Sequence, residues 1–322
     1  MSYYIGVDIG GTNIVCGLLD AELNLLRKAK KPTGAANGSR YVLGLIASMI
    51  DELLAGQGIG RSELGAVGMG NPGFIDPIRG ISLSSANLKW ENVPVSDWLG
   101  ELLGGIPVFI DNDVRMYTYG EAARGAGRGY EHVMGITLGT GIAAAMINKG
   151  ELYYGSGFLA GELGHVPLDG ESALCGCGMR GCLETIASAT GIARIARERL
   201  EQGSASLLGE WFPGDRRSEI TAADVSRAYD EGDELAKQVL QFVGRNLARG
   251  LAWAITLWSP DVIVIGGGAA NAGERLLAPM REALEPLILP MYRGRVAIKL
   301  AEMNDDAGVV GSAAFAKARA GA

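Results

Sequence analysis

The sequence predicts an α/β protein built from two similar lobes, and three observations carry that expectation. The chain has 322 residues, nearly half of them apolar, enough to bury more than one core. Short β-like runs alternate with stretches of helical period. One pattern also occurs twice: Val7-Asp8-Ile9-Gly10-Gly11-Thr12 aligns with Ile136-Thr137-Leu138-Gly139-Thr140-Gly141, a strand and a glycine turn leading to a returning strand in each half of the chain. This faint duplication implies two lobes facing each other, each presenting a glycine turn to a cleft.

Taken in order, residues 3–9 read as a buried strand and residues 13–19 as its return, with Asp8 beside the turn Gly10-Gly11-Thr12. Backbone N–H groups of such a turn approach phosphate oxygens without a Cβ in the way, and Thr12 adds a hydroxyl. Asp8 would hold Mg²⁺ through water, although Gly-Gly alone is equally an ordinary tight hairpin. In residues 39–54, Val42, Leu43, Ile46, Met49, Ile50 and Leu53 recur at helical spacing, which predicts an amphipathic helix laid on the sheet. A short strand at 66–69 ends in Gly70-Asn71-Pro72-Gly73, a turn at the sheet's edge. Residues 84–90 read as a polar loop, where Asn87 either meets a sugar hydroxyl or serves as a plain turn residue. The β run 106–110 delivers Asp111-Asn112-Asp113 to a helix at 114–123. A carboxylate at the carboxyl end of a strand is placed to take a proton from an attacking hydroxyl. That role is assigned to Asp113, and a helix cap or a solvated position to Asp111.

In the second half, strands at 133–138 and 142–147 flank Gly139-Thr140-Gly141. Residues 185–200 read as one helix and 201–218 as an irregular surface excursion. Residues 234–258 form a long helix with Val239, Leu240, Val243, Leu247, Leu251 and Ile255 on one face, stopped by Pro260. A strand at 262–265 runs into Gly266-Gly267-Gly268, a third glycine turn that admits an adenine face or simply joins strand to helix. Gly308 and Gly311 lead into a last helix at 312–319.

Chemistry concentrates in residues 161–184, which hold three of the four cysteines and one of the two histidines. Cys175, Cys177, Cys182 and His165 make a complete tetrahedral ligand set for zinc, and the glycines at 176, 178 and 181 let a tight loop turn its sulfurs inward. The alternative is a disulfide with a spare thiol, which suits a reducing compartment poorly. Glu162 and Glu184 bracket the loop.

Composition excludes several classes of function. Twenty-nine basic and 36 acidic residues give a net charge of −7 with no long run of either sign, which argues against nucleic acid or an anionic membrane as partner. No stretch of about 20 apolar residues suggests a membrane span and no signal peptide is recognisable, so a cytoplasmic protein is expected.

With these residues assembled, the chain resembles the ROK family of sugar kinases, repressors and uncharacterised open reading frames, over residues 5–314. Glu162-Leu163-Gly164-His165 matches the family's ExGH, and residues 175–184 match its CxCGxxGCxE. The DxGGT at 8–12 alone would also allow the wider actin, hexokinase and heat-shock ATPase group. The resemblance implies the two-lobed actin-like ATPase (ribonuclease H-like) fold of sugar kinases. We expect a small α/β lobe at 1–115, completed by the C-terminal helix 305–322, and a larger lobe at 116–304 carrying the zinc loop. The resemblance further implies a structural zinc on His165, Cys175, Cys177 and Cys182, and phosphoryl transfer from MgATP to a hexose hydroxyl. Gly10, Gly11, Thr12, Thr137, Gly139 and Thr140 would face the phosphates along with Asp8, and Gly267 the adenosine. Gly73, Asn87, Asn112, Asp113, Glu162, His165 and Glu184 would hold the sugar, with Asp113 as general base.

Physical chemistry agrees with that allocation. A sugar hydroxyl is too weak an acid to attack unaided and needs a carboxylate at hydrogen-bond distance. Each of Glu162 and Glu184 can accept two hydroxyl hydrogen bonds, and His165 can bind zinc with one nitrogen and face the sugar with the other. Residues 87–90 resemble the corresponding loop of the family's bacterial glucokinases, which points to the glucose 6-hydroxyl. Fructose, mannose, allose, N-acetylglucosamine or N-acetylmannosamine are the alternatives, and polyphosphate is an alternative donor. A homodimer or higher homo-oligomer is expected by the same resemblance. A sugar-responsive repressor would need a helix-turn-helix ahead of the first hairpin, where only four residues precede Ile5. One departure stands out: after Asn112-Asp113 the family commonly has a small residue and then Asn, whereas Val114-Arg115 follows here.

Overall fold

The computed structural model describes residues 2–321; Met1 and Ala322, the outer bounds of the expected first lobe, lie outside the described residues. The chain divides into two compact units, one of residues 1–135, 145–160 and 301–322, the other of residues 136–144 and 161–300. The boundary expected at 115 therefore moves to 135, because the helix after Asp113 packs on the C-terminal helix rather than opening the second unit.

The first unit begins with β1 (Tyr3–Ile9), β2 (Asn13–Leu19) and β3 (Leu25–Pro32), an antiparallel meander. Ile5, Val7 and Ile9 alternate onto one face and are fully buried, which leaves Asp8 on the other. Helix α1 (Ser39–Ala55) covers the apolar face with the predicted stripe, from Val42 and Leu43 to Leu53. The strand expected at 66–69 is longer, β4 (Leu64–Asn71), and lies inside the sheet between β1 and β8. Residues 84–90 are not one polar loop. β5 (Phe74–Asp76), β6 (Ile81–Ser85) and β7 (Trp90–Pro94) form a separate three-stranded sheet around buried Leu88 and Trp90. Helix α2 (Val95–Leu102) then leads to β8 (Val108–Asn112) and α3 (Asp113–Arg124). The sheet order β3-β2-β1-β4-β8 makes β1, β4 and β8 parallel neighbours, so Asp8, Asn71 and Asp113 are delivered at the same ends of adjacent strands.

Next come β9 (His132–Leu138), β10 (Ile142–Asn148) and β11 (Glu151–Leu152). The helix expected at 185–200 is two: α4 (Glu184–Ala187) and α5 (Ala189–Glu201), broken where Ser188 turns extended and caps the second. The expected irregular excursion at 201–218 contains α6 (Leu207–Trp211), followed by α7 (Ala222–Asp230). Helix α8 (Glu234–Trp258) buries the predicted face, and it stops at Ser259, which is left-handed at φ 47° ahead of Pro260. β12 (Val262–Gly266), α9 (Glu274–Leu284) and β13 (Ala297–Leu300) follow, the two strands pairing in parallel within a sheet ordered β11-β10-β9-β12-β13.

The final helix, α10 (Ala307–Ala320), belongs to the first unit. Gly308 and Gly311 lie inside it instead of leading up to it. Their absent side chains are what bring the helix close: a Cβ on Gly311 would sit 1.7 Å from the Met116 carbonyl oxygen, and one on Gly68 of β4 would sit 1.8 Å from that of Ser312. Among the described residues no helix is long and apolar enough to cross a membrane.

Candidate functional site

The first unit presents a hairpin turn, a strand-end carboxylate and a small polar cavity. Gly10 N–H donates to the Asn13 carbonyl at 2.8 Å and closes the turn, leaving Gly10, Gly11 and Thr12 exposed. Buried Thr33 braces it, donating its N–H to the Thr12 carbonyl and its hydroxyl to the Gly10 carbonyl. Nothing at sequence level distinguishes Thr33, because its partners lie 21 and 23 residues away. Gly11 lies against Asn87, whose side chain a Cβ there would approach to 3.4 Å, so the expected sugar-facing Asn87 sits beside the expected phosphate turn. Asp8, the turn, Lys28, Lys30 and Asp305 line a cavity of about 380 Å³. Burial, reinforced by the charges of Asp113 and Asp305, pushes the Asp8 carboxyl up to about 6.

Asp113 opens α3, and its carboxylate accepts from the Val114 N–H at 3.0 Å. Burial raises its pKa, against the pull of the Val114 and Asp113 N–H groups and the Asn112 side chain. Asn112, not Asp111, caps the helix: its Oδ1 accepts from the Val114 and Arg115 N–H groups, and its Nδ2 donates to the Gly73 carbonyl at 3.2 Å. Gly73 takes φ 105° to reach that position. The expectation for Asp111 is overturned. It is completely buried rather than solvated, and it accepts from Arg115 at 3.1 Å, the Tyr154 hydroxyl at 2.6 Å and the Asn112 N–H at 2.7 Å. Those donors are what a buried carboxylate requires, and one of them, Tyr154, lies 43 residues away in the chain.

The second unit carries the other turns and the cysteine loop. Gly139 N–H donates to the Gly141 carbonyl at 2.9 Å, and α5 holds this turn by Ala189 N–H to the Gly139 carbonyl and Thr190 hydroxyl to the Thr140 carbonyl. Thr137 lies half-buried on β9 just before the turn. Glu184 is tied to it as well: Ile142 N–H donates to Oε2 at 2.9 Å, and a Cβ on Gly141 would come within 2.3 Å of that oxygen. Gly267, at φ 87°, presses on the Leu138 backbone so closely that a Cβ would lie 2.7 Å from it. Packing of β12 against β9 therefore dictates this glycine whatever ligand it meets.

The cysteine loop meets the geometry of a metal centre. All three cysteines are free thiols, which removes the disulfide alternative. Zinc–sulfur bonds of about 2.3 Å in a tetrahedron space sulfurs ~3.8 Å apart. Here the Cys177 and Cys182 sulfurs are 3.7 Å apart, Cys175 Sγ is 3.6 Å from His165 Nδ1, and all four ligand atoms lie within 4.8 Å of one another. Gly178 and Gly181 take the left-handed turns; Gly176 does not. The imidazole turns Nδ1 toward the thiols, and its Nε2 lies 3.7 Å from the exposed Glu162 carboxylate.

The model of the ROK family matches residues 4–319. The chain belongs to the ROK family. Among ROK relatives, it is 37% identical to a glucokinase of Thermotoga maritima, with 98% of each chain covered. It is 36% identical to a glucokinase of Halalkalibacterium halodurans, over 96% of this chain and 93% of that one. A ROK glucokinase of Streptomyces griseus, solved in complex with glucose and AMPPNP, superposes with a TM-score of 0.78 at 32% identity, covering 98% of this chain and all of that one. The fold is accordingly the sugar-kinase type of the actin-like ATPase fold.

Proposed function

We propose that this ROK protein is a glucokinase, transferring the γ-phosphoryl group of ATP to the 6-hydroxyl of glucose. The observation that carries the proposal is similarity to glucokinases along almost the whole chain, coupled with a half-buried strand-end carboxylate, Asp113, at the same end of the sheet as the exposed Gly10–Thr12 turn. Asp113 would accept the hydroxyl proton as the oxygen attacks; its raised pKa makes it a better base than a free aspartate. The N–H groups of Gly10 and Gly11 and the Thr12 hydroxyl would hold phosphate oxygens, joined by Thr137, Gly139 and Thr140, with Gly267 at the adenosine. Mg²⁺ bound with ATP supplies charge neutralisation on the transferring group, and Asp8 would anchor its water shell. Gly73, Asn87 and Asn112, together with Glu162, His165 and Glu184, would orient the sugar.

Zinc on His165, Cys175, Cys177 and Cys182 would be structural. A reducing cytoplasm suits the free thiols. Exposed Trp253, Leu257, Leu289 and Met291 support assembly as a homodimer or higher oligomer. The test is steady-state phosphorylation across a hexose panel with ATP and with polyphosphate. Glucose should give the highest kcat/KM with ATP, and absence of ATP-dependent turnover on every hexose would sink the reading. Asp113→Ala should abolish turnover while calorimetric glucose binding survives; equal loss of both would make the residue structural.

A further inference from the structure

Arg115 occupies an unfavourable position for a cation. It is the third residue of α3, where the helix dipole is positive, yet it is only 6% exposed. Burying a charge there for stability alone makes little physical sense, since an apolar side chain of similar volume generally does as well. Its contacts explain the choice. One guanidinium nitrogen donates to Asp111 Oδ1 at 3.1 Å, and the other donates to the Phe158 carbonyl at 2.5 Å. Tyr154 completes the cluster by donating its hydroxyl to Asp111 Oδ2 at 2.6 Å, with the guanidinium carbon 5.1 Å from its ring centre.

One arm of the fork ends on the Asp111 carboxylate and the other on the Phe158 backbone carbonyl. On one side, the Asp111 oxygen that takes Arg115 also takes the Asn112 N–H, the residue that caps α3 and precedes Asp113. On the other, Phe158 is held at φ 62° after Gly157 at φ 64°, a left-handed pair that a bulky side chain resists unless something outside the turn fixes it. Tyr154 packs edge-on to Phe158 with ring centres 5.7 Å apart, and Phe158 stands four residues before Glu162 in the chain. One rigid planar group therefore fixes the corner carrying the proposed base and the turn leading toward the proposed sugar carboxylate.

We propose that Arg115 is a positioning residue for hexose binding, presetting the Asn112–Asp113 corner and the turn at 155–158 in a single geometry. The proposal rests on the glucokinase reading. It predicts that hexose recognition depends on the two-armed fork and not on the charge alone. Arg115→Lys keeps the charge opposite Asp111 but lacks a planar fork spanning both acceptors. Arg115→Met removes the charge as well.

The experiment measures KM for glucose and for ATP in wild type, Arg115→Lys, Arg115→Met and Tyr154→Phe. Wild-type turnover on hexoses tests the glucokinase reading by itself; the ratio of variant to wild type tests the role of Arg115. Arg115→Lys should raise the glucose KM by at least about tenfold, within the range that ångström-scale misplacement produces, while the ATP KM moves less than about twofold. Wild-type glucose KM in Arg115→Lys would overturn the proposal, because charge neutralisation would then suffice. So would parallel changes in both KM values, or a loss of kcat with unchanged KM, the pattern of a smaller folded fraction. If Arg115→Met fails to fold, Arg115→Lys and Tyr154→Phe, which keep the Asp111 pair charged on both sides, decide the question by the same criteria.

Discussion

Three carboxylates in the first unit sit in different environments, and two of them carry separate predictions. As the proposed base, Asp113 would act only when ionised, and burial raises its pKa above the ordinary aspartate value of 3.8. The acid limb of kcat/KM for glucose should therefore lie above pH 3.8, with activity falling as pH drops through the raised value; a limb at or below it would contradict the assignment. Asp8 bears on stability as well. Its folded-state pKa of about 6 exceeds the 3.8 of an unfolded aspartate, so the folded chain holds the proton more tightly between those values and stability falls as pH rises through the window. Asp8→Asn should then stabilise the metal-free protein at pH 7.5, by at most about 3 kcal/mol in chemical denaturation, while abolishing phosphoryl transfer. An unchanged or lower stability would mean that other contacts of Asp8 outweigh its charge. Asp111 differs from both in having donors on both oxygens.

At the scale of elements, the cysteine loop would link folding to the proposed sugar site. Glu184 follows Cys182 by two residues and is tied to the turn at Gly141, while His165 faces the thiols with one nitrogen and Glu162 with the other. Cys177→Ala should lose zinc by elemental analysis, lower Tm and weaken glucose binding together. A zinc-free variant with wild-type glucose affinity would refute that link. This loop and the glycine hairpins were legible in the sequence because their chemistry is local: four ligands lie within 18 residues, and each turn has its two strands adjacent. Residues 84–90 were not, since polar Ser84, Ser85 and Asn87 mask a β-sheet to which this span gives only Leu88 and Trp90 as buried large apolar residues. Asp111 was misjudged for a related reason. A buried carboxylate resembles a capping one until its donors are known, and Tyr154 lies 43 residues away.

At the scale of the whole molecule, the first unit is assembled from both ends of the chain. α10 lies against β1, β4 and α3 along surfaces kept bare by glycine. Gly311→Val would drive a branched side chain into the Met116 carbonyl and should destabilise the protein by more than about 3 kcal/mol, measured by urea unfolding. A cost below about 1 kcal/mol would show that α10 can shift outward without penalty. The arrangement also sets an order of events during synthesis. About 165 residues separate Gly135 from Ala301, so at roughly 5–20 residues per second the first sheet waits on the order of ten to thirty seconds for its covering helix. Ribosome-arrested chains ending at residue 300 should be cleaved readily by protease within residues 1–135, and full-length chains should resist. The bare glycine tracks on β1 and β4 that make the finished joint tight are thus, in the nascent chain, an open strip for chaperones to guard.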